Sequence, residues 1–496
     1  MRPFNSRPLK SKWLENSFKG FPKLMIIVLL TATSLVHAGE AVKKTEPDVL
    51  IVGAGIAGLS TAYRLKKEGK TFLVLEMSSH IGGRIRTASY TEDVSAEVGL
   101  EEFWEGNPSL EIFKELKIPL EKSATSFSSF IYKGKLHPFT QNTNLEFLAS
   151  FFNAKEMKEY ENWDKKTADI YKKLLSNPKD KSVLFLKDLS FADWIQKTCK
   201  LSKKVQELIR LESEPEYGTP WSRISAMDGI AEWHIFSGAG SSSFHVIGGN
   251  HKAALAMADS IGKEHILLNR QVTNIKSSTD GVEVIATDSD FKQHTYHGKY
   301  VVTTPPLFRL NEIQFEPAIA TERVQAIQSQ GWGAYFTAHL VLDEKATHFW
   351  TVKGESILPI LTDSSLGVIY EGKSEGDKKN TMLNLLITGD PAEGFNARVG
   401  TLDDVRAVLL KDFEKLWPGI GKHIKKIVFY RYHPRAIASW PVGRSRFDDL
   451  SDSLRKPQGR VYFGGDFTEG THSDGAAMSA IRIVKDILQK EKALQK

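Results

Sequence analysis

The stretch Asp48-Val-Leu-Ile-Val52-Gly53-Ala-Gly55-Ile-Ala-Gly58-Leu59-Ser-Thr-Ala-Tyr-Arg-Leu65 decides the fold. Residues 48–52 are a short apolar run of the kind buried on both faces of a parallel sheet. Three glycines follow at G-x-G-x-x-G spacing, and from Leu59 the pattern turns helical until Gly69 closes it. A second apolar run, Thr71-Phe-Leu-Val-Leu75, ends in Glu76. This strand–turn–helix–strand order is the context in which such glycines bind a dinucleotide. Gly53 permits the tight turn, Gly55 lets a pyrophosphate approach the backbone, and Gly58 lets helix and strand pack closely. Ile56 and Ala57 open a helix whose N-terminal amides and dipole face the phosphates. Glu76 stands 18 residues past Gly58, where a carboxylate accepts from a ribose diol and repels a 2′-phosphate, so NADP does not fit.

Around this turn the chain has 496 residues, enough for two or three domains and a large core. Its 41% hydrophobic and 25% charged residues exclude a disordered, collagenous or coiled-coil chain. The single cysteine, Cys199, excludes an intrachain disulfide, a thiolate zinc site and an iron–sulfur cluster. A net charge of +6 invites a nucleic-acid reading, but six basic residues against Glu15 in residues 1–38 account for nearly all of it. No nucleic-acid partner is expected from the nearly neutral body. The basic start runs into Leu24-Met-Ile-Ile-Val-Leu-Leu and ends at Val36-His37-Ala38, the pattern of a secretory leader cut after Ala38. The apolar run is short of the ~20 residues that span a bilayer. Export is therefore expected, with an uncleaved anchor over residues 24–36 as the alternative.

Downstream, Ser78-Ser-His-Ile-Gly82-Gly83-Arg84 extends the fingerprint, and here the sequence resembles the flavin-containing amine oxidases, a family that includes monoamine, polyamine and L-amino-acid oxidases. The resemblance covers nearly all of residues 46–490. It implies non-covalent FAD, with Gly83 and Arg84 along the pyrophosphate. The segment Phe244 to Asn250, followed by 266–275, is similar to the family's second flavin segment, in which Val272 meets the adenine edge. Tyr300-Val-Val-Thr-Thr-Pro305-Pro306 resembles its strand ending in a double proline. Gly464-Gly465-Asp466 and His472-Ser-Asp474-Gly475-Ala476 resemble the closing motif, where Asp466 holds the ribitol and Gly475 and Ala476 start a helix aimed at the flavin N1–O2 edge. The implied fold is α/β, a Rossmann-like FAD-binding domain with an interleaved α+β substrate-binding domain. After the leader at 1–38, the FAD domain takes 46–105, 240–310 and 430–490. The substrate domain takes a helical part at 106–239 and a sheet part at 311–429.

Oxidation of an amine moves a hydride from the carbon beside nitrogen to flavin N5, and water then hydrolyses the imine. The protein must desolvate the site, orient that carbon and favour the neutral amine. In His433-Pro434-Arg435-Ala-Ile-Ala-Ser439-Trp440 the spacing resembles the family stretch that ends in a cage aromatic, which makes Trp440 the expected wall. Monoamine oxidases link flavin through a cysteine one position earlier, where Ser439 stands. Their second cage tyrosine falls on Ala476. The loop Glu101-Glu102-Phe-Trp104-Glu105-Gly106 resembles the polyamine oxidases, so Glu105 and Glu102 are expected to draw a cationic substrate. An L-amino-acid oxidase would instead need an arginine for the carboxylate, Arg223 or Arg435 being available. The family places a lysine near N5. Alignment after the double proline puts Arg323 at that position, with Arg309 near the monoamine oxidase one, and arginine there leaves O2 or another acceptor open. A carbon–carbon desaturase or porphyrinogen-type oxidase, and a non-catalytic flavoprotein, are the rival classes. No metal site is expected, and His234, His245 and His472 are read as packing or hydrogen-bonding residues.

Overall fold

The computed structural model describes residues 46–91, 94–123, 128–237, 242–374, 380–398, 402–430 and 435–494. The leader at 1–38, with its apolar run, lies outside the described residues, as do His433 and Pro434. Among the described residues no helix is long and apolar enough to cross a membrane.

Five parallel strands form the central sheet in the order Ile266–Leu267, Phe72–Leu75, Val49–Val52, Tyr300–Thr303, Val461–Phe463. Chain segments far apart in sequence supply them. Every residue of Val49–Val52 is buried, which is why the run lacks the polar alternation of a one-sided strand. Val49, Ile51 and Val302 pack with Leu59, Ala62 and Ile483 in one core on the helical side of the sheet. Those side chains come from Ile56–Lys67 and Ser473–Leu494. The opposite face packs against a four-stranded sheet of Gln293–Gly298, Val282–Thr287, Gln271–Ser277 and Gln314–Glu316.

A seven-stranded sheet builds the other half, in the order Ile424–Tyr430, Tyr335–Asp343, Asn380–Thr388, Val368–Glu371, Ile360–Leu361, Ser129–Tyr132, Lys135–His137. Strands Tyr335–Asp343, Ile360–Leu361 and Asn380–Thr388 of this sheet, and helix Asp403–Leu416, fall in the stretch 311–429 read as the substrate domain's sheet part. Two boundaries differ from the sequence reading. The part expected to be helical from 106 opens with helix Ser109–Glu115 but then carries strands Leu120–Ser123, Ser129–Tyr132 and Lys135–His137. Helices take over at Asn144–Phe151, Ala154–Ser176 and Lys203–Tyr217. The second difference concerns residues 311–316, assigned to the substrate sheet but paired through Gln314–Glu316 with Gln271–Ser277. Short strands are hard to read because register with a distant partner, not local pattern, stabilises them.

Candidate active site

A cavity of about 1540 Å³ runs from the first glycine turn to the inner face of the seven-stranded sheet. At one end its wall includes Gly53, Gly55, Ile56, Ala57 and Glu76. Gly53 has φ of +104°, and a Cβ there would lie 2.7 Å from the Thr304 hydroxyl. Gly58 does not line the cavity: its Cβ would meet the Gly53 carbonyl oxygen at 2.0 Å, so this glycine serves the close helix–strand contact. Gly55 differs from both. Its φ is −79°, open to any residue, and nothing lies within 4 Å of where its Cβ would stand. Gly55 also caps the Ile56–Lys67 helix without a side chain, and no acid occupies the first turn. Open space above uncapped amides at a helix start is an anion cradle.

The remaining fingerprint residues extend this groove. Glu76 is buried, and its carboxylate accepts from the Ala54 amide at 2.7 Å and from the Ser78 hydroxyl at 2.7 Å, which fixes it beside the turn. Gly83, Arg84, Val272, Gly465 and Ala476 line the same space. Arg84 donates through both terminal nitrogens to Asp466 at 2.8 Å and to the Ala436 carbonyl at 2.6 Å. Asp466 is therefore buried behind the wall as the partner of Arg84 and does not itself line the cavity, contrary to the ribitol contact expected of it. Gly475 is likewise behind the wall, where its Cβ would strike the Gly470 backbone at 2.3 Å. Asp474 does line the cavity, and its Oδ1 is buried without a protein partner. A long groove with an anion cradle, a fixed carboxylate and an orphaned polar atom fits a flavin dinucleotide. Cys199, the chain's one cysteine, does not line it, so no cysteinyl link to a flavin is available.

Beyond the groove the cavity is walled by acids and aromatics. Glu101, Glu102 and Glu105 line it from the loop singled out in the sequence. The Tyr370 hydroxyl donates to Glu101 at 3.1 Å, and the Ser242 amide donates to the exposed Glu105 at 3.2 Å. Burial raises the Glu102 carboxyl, partly offset by a hydrogen bond from Ser243. Helix Lys203–Tyr217 adds Glu212 and Glu216, which sequence reading passed over. Four residues apart, they share a helix face and continue the buried stripe of Val205, Leu208 and Ile209. Two acids placed in an apolar stripe were the available signal. Burial lifts Glu212 well above the usual carboxyl range, the charge of Asp164 adding to it. Glu216 is pushed up to about 8, first by burial and then by the charges of Glu102 and Glu232. Tyr171, Tyr335, Tyr370 and Phe308 give aromatic wall, and among the described residues no lysine lines the cavity.

Two expected chemical residues stand elsewhere. Trp440 is fully buried, donates from its indole nitrogen to the Ser451 hydroxyl at 3.0 Å, and has the Arg446 guanidinium 4.9 Å from its ring. It does not line the cavity, because the indole fills the core beside helix Asp449–Arg455 instead of facing the sheet. Arg323 is also buried outside the cavity, on helix Thr321–Gln328. Its guanidinium donates to the Ser453 carbonyl at 2.8 Å, the Lys456 carbonyl at 2.7 Å and Gln458 at 2.7 Å, and lies over Phe463. It closes the C-terminal end of helix Asp449–Arg455, a structural task for a cation. Of the arginines considered for a substrate carboxylate, Arg223 pairs with Asp390 and Glu393 outside the cavity. Arg435 lines the cavity with its guanidinium 5.2 Å from the Phe308 ring, and Arg309 pairs with Glu312. His234 and His472, read as packing residues, line the cavity, as does His245, which lies 3.0 Å from the Glu101 carbonyl.

Comparison with known proteins agrees with this groove. Polyamine oxidase 1 of Zea mays is 26% identical over 94% of this chain and 95% of its own length. The L-amino-acid oxidase of Echis ocellatus is 22% identical, covering 91% of each chain. Among solved structures, putrescine oxidase bound to putrescine superposes with a TM-score of 0.76 at 19% identity, over 90% of this chain and 99% of that one. Cyclohexylamine oxidase from Brevibacterium oxydans gives a TM-score of 0.72 at 20% identity over 89% of this chain and 99% of its own. These likenesses between structures show the shared α/β fold. The model of the flavin containing amine oxidoreductases matches residues 56–488, nearly the whole described body, and the chain belongs to that family of FAD-dependent enzymes.

Proposed function

We propose that this protein oxidises the C–N bond of an amine that carries a second positive charge, a di- or polyamine, with O2 as the electron acceptor. FAD, when bound, supplies the hydride acceptor, and the imine product hydrolyses to a carbonyl compound and a smaller amine or ammonia. The single observation that carries this reading is the set of acids on the cavity wall. Glu102, Glu212 and Glu216 face one space in which, among the described residues, no lysine stands; of its arginines, Arg84 pairs with Asp466, Arg309 pairs with Glu312, Arg270 donates to the Tyr296 hydroxyl and Arg435 lies over Phe308. A carboxyl held near 8 gains its charge most easily when a cation arrives, so Glu216 favours an ammonium over a neutral ligand. Tyr335 and Tyr370 supply faces on which an ammonium rests without being ligated. Carboxyls that burial keeps protonated gain nothing by ionising beside the carboxylate of an L-amino acid, and they do not suit the apolar substrate of a desaturase or porphyrinogen-type oxidase. We also propose export of the chain after cleavage at Ala38, on the leader pattern alone.

The test is anaerobic titration of the yellow FAD-loaded protein with putrescine, spermidine, spermine, a simple monoamine and L-amino acids, followed by air. Bleaching by the di- and polyamines at concentrations well below those needed for the monoamine is expected, with recolouring and peroxide on exposure to air. Bleaching by L-amino acids alone, or by nothing, would overturn the reading. Bleaching that air does not reverse would make the protein a dehydrogenase.

A further inference from the structure

Beneath the cavity wall lies a buried charge network that the reading above does not use. Arg446 is buried and donates from Nε to Asp228 at 2.8 Å and from a terminal nitrogen to Glu232, both acids being fully buried on helix Ala226–Glu232. The Thr471 hydroxyl donates to Glu232 Oε2 at 2.7 Å, and the same oxygen lies 2.5 Å from His472 Nδ1. A hydroxyl carries one hydrogen, and here it goes to the carboxylate, so Nδ1 of His472 must be the donor to Thr471. The relay runs from His472 Nδ1–H to the Thr471 hydroxyl and on to Glu232. It fixes the neutral tautomer and makes Nε2 the proton-accepting nitrogen. Glu232 Oε2, 3.7 Å from Nδ1, favours the imidazolium that would follow.

We propose that His472 is the group that takes the proton from the bound ammonium, with Thr471 and Glu232 as positioning residues. The inference rests on the amine reading above. An amine enters an acidic cavity as a cation, but hydride leaves its carbon only when the nitrogen lone pair is available, so one proton must be lost first. In that step an N–H bond of the ammonium breaks, its electron pair stays on nitrogen, and the proton forms a bond to His472 Nε2. His472 lines the cavity one residue before helix Ser473–Leu494, whose first turn supplies the cavity residues Asp474 and Ala476. Glu102, Glu212 and Glu216 serve the substrate's other charge. The groups acting on His472 are Glu232 from its helix, Asp474 from Ser473–Leu494, Asp466 from Asp466–Glu469 and Arg446 from the loop before Asp449–Arg455. Burial lowers the imidazole from its ordinary value, the three acids oppose that, and Arg446 adds to it, so the ring is neutral and receptive near pH 7.

The experiment compares the FAD-loaded full-length protein with His472→Gln, Thr471→Val and Thr471→Ser. It follows anaerobic flavin bleaching by putrescine from pH 6 to 10, together with the ring-nitrogen NMR signals of the 15N-histidine-labelled proteins. His472→Gln is expected to slow bleaching about 100-fold at pH 7, the lower range for loss of a general base, and to recover to within about fivefold at pH 10, where the free amine is neutral. Thr471→Val should shift the acid limb and release the fixed tautomer, and Thr471→Ser should restore both. A merely structural role would move stability without moving tautomer or limb. Wild type bleached while His472→Gln keeps its acid limb overturns this proposal alone, and wild type bleached by no amine at any pH overturns it together with the preceding reading. If His472→Gln does not retain FAD, the Thr471 pair decides, and a wild-type limb and tautomer in Thr471→Val overturn the proposal.

Discussion

Replacing Glu216 by glutamine should stabilise the protein, and increasingly so as pH rises. In the unfolded chain this carboxyl ionises near 4.5, whereas burial and the neighbouring charges of Glu102 and Glu232 hold it at about 8 in the fold. Between those values the folded state keeps a proton that the unfolded state has released. Its contribution to stability is fully present below pH 4.5 and is lost as pH rises to 8. At about 1.4 kcal/mol per pH unit, the native carboxyl costs about 3 kcal/mol at pH 7 and about 5 kcal/mol above pH 8. Glutamine keeps the size and cannot ionise, so the variant lacks this slope. Thermal unfolding of wild type and Glu216→Gln at fixed FAD from pH 4 to 9, followed by tryptophan fluorescence, gives the difference directly. For a chain of this length the difference should grow from near zero to roughly 5 °C. The same proton should leave when putrescine binds at pH 7, as buffer-dependent heats in calorimetry. A stability difference that stays flat across this pH range would refute the idea that Glu216 sits desolvated in an acidic cavity.

Gly55→Val should fold yet fail to retain yellow colour on purification, because its side chain would fill the cradle above the helix amides, whereas Gly58→Ala should lower the unfolding temperature through its clash with the Gly53 carbonyl. Arg323→Ala should cost about 2–4 kcal/mol in denaturant unfolding, leaving helix Asp449–Arg455 without the cation at its end, while the amine titration keeps its ranking of substrates. Trp440→Phe should likewise lose stability through the Ser451 hydrogen bond and the Arg446 contact, and an altered substrate preference in that variant would return the indole to the cavity wall. N-terminal sequencing of the protein recovered after expression with its leader should begin at Gly39.

The reach of sequence reading follows how local each feature is. Gly53, Gly55 and Gly58 announce themselves because turn, helix start and close packing are built within a dozen residues, and each glycine answers a steric demand of its neighbours. The closing motif is legible for the same reason, although its members divide between wall and support: Ala476 and Gly465 line the cavity while Asp466 and Gly475 stand behind it. Arg84 fixes that division by drawing Asp466 onto itself at 2.8 Å, a contact across 382 residues of chain. Arg323 and Trp440 were placed by spacing from a double proline and from a family stretch. Spacing gives position along the chain but not the side of the element that faces the cavity. Helix Thr321–Gln328 turns Arg323 to the carbonyls of a neighbouring helix, and Ser451 with Arg446 draws the indole of Trp440 into the core.

By itself the sequence determined the parallel sheet, its dinucleotide turn and an acidic loop at 101–105, since each rests on residues adjacent in the chain. Only the tertiary structure decided which acids share one space. Glu216 feels the charge of Glu102, more than 100 residues earlier in the sequence, and of Glu232 on another helix, and helix packing against the seven-stranded sheet turns Glu212 and Glu216 inward. Only the fold, too, sets His472 within 3.7 Å of the buried Glu232 carboxylate. Charge and desolvation act through space, so a carboxyl's protonation is settled by what the fold brings beside it.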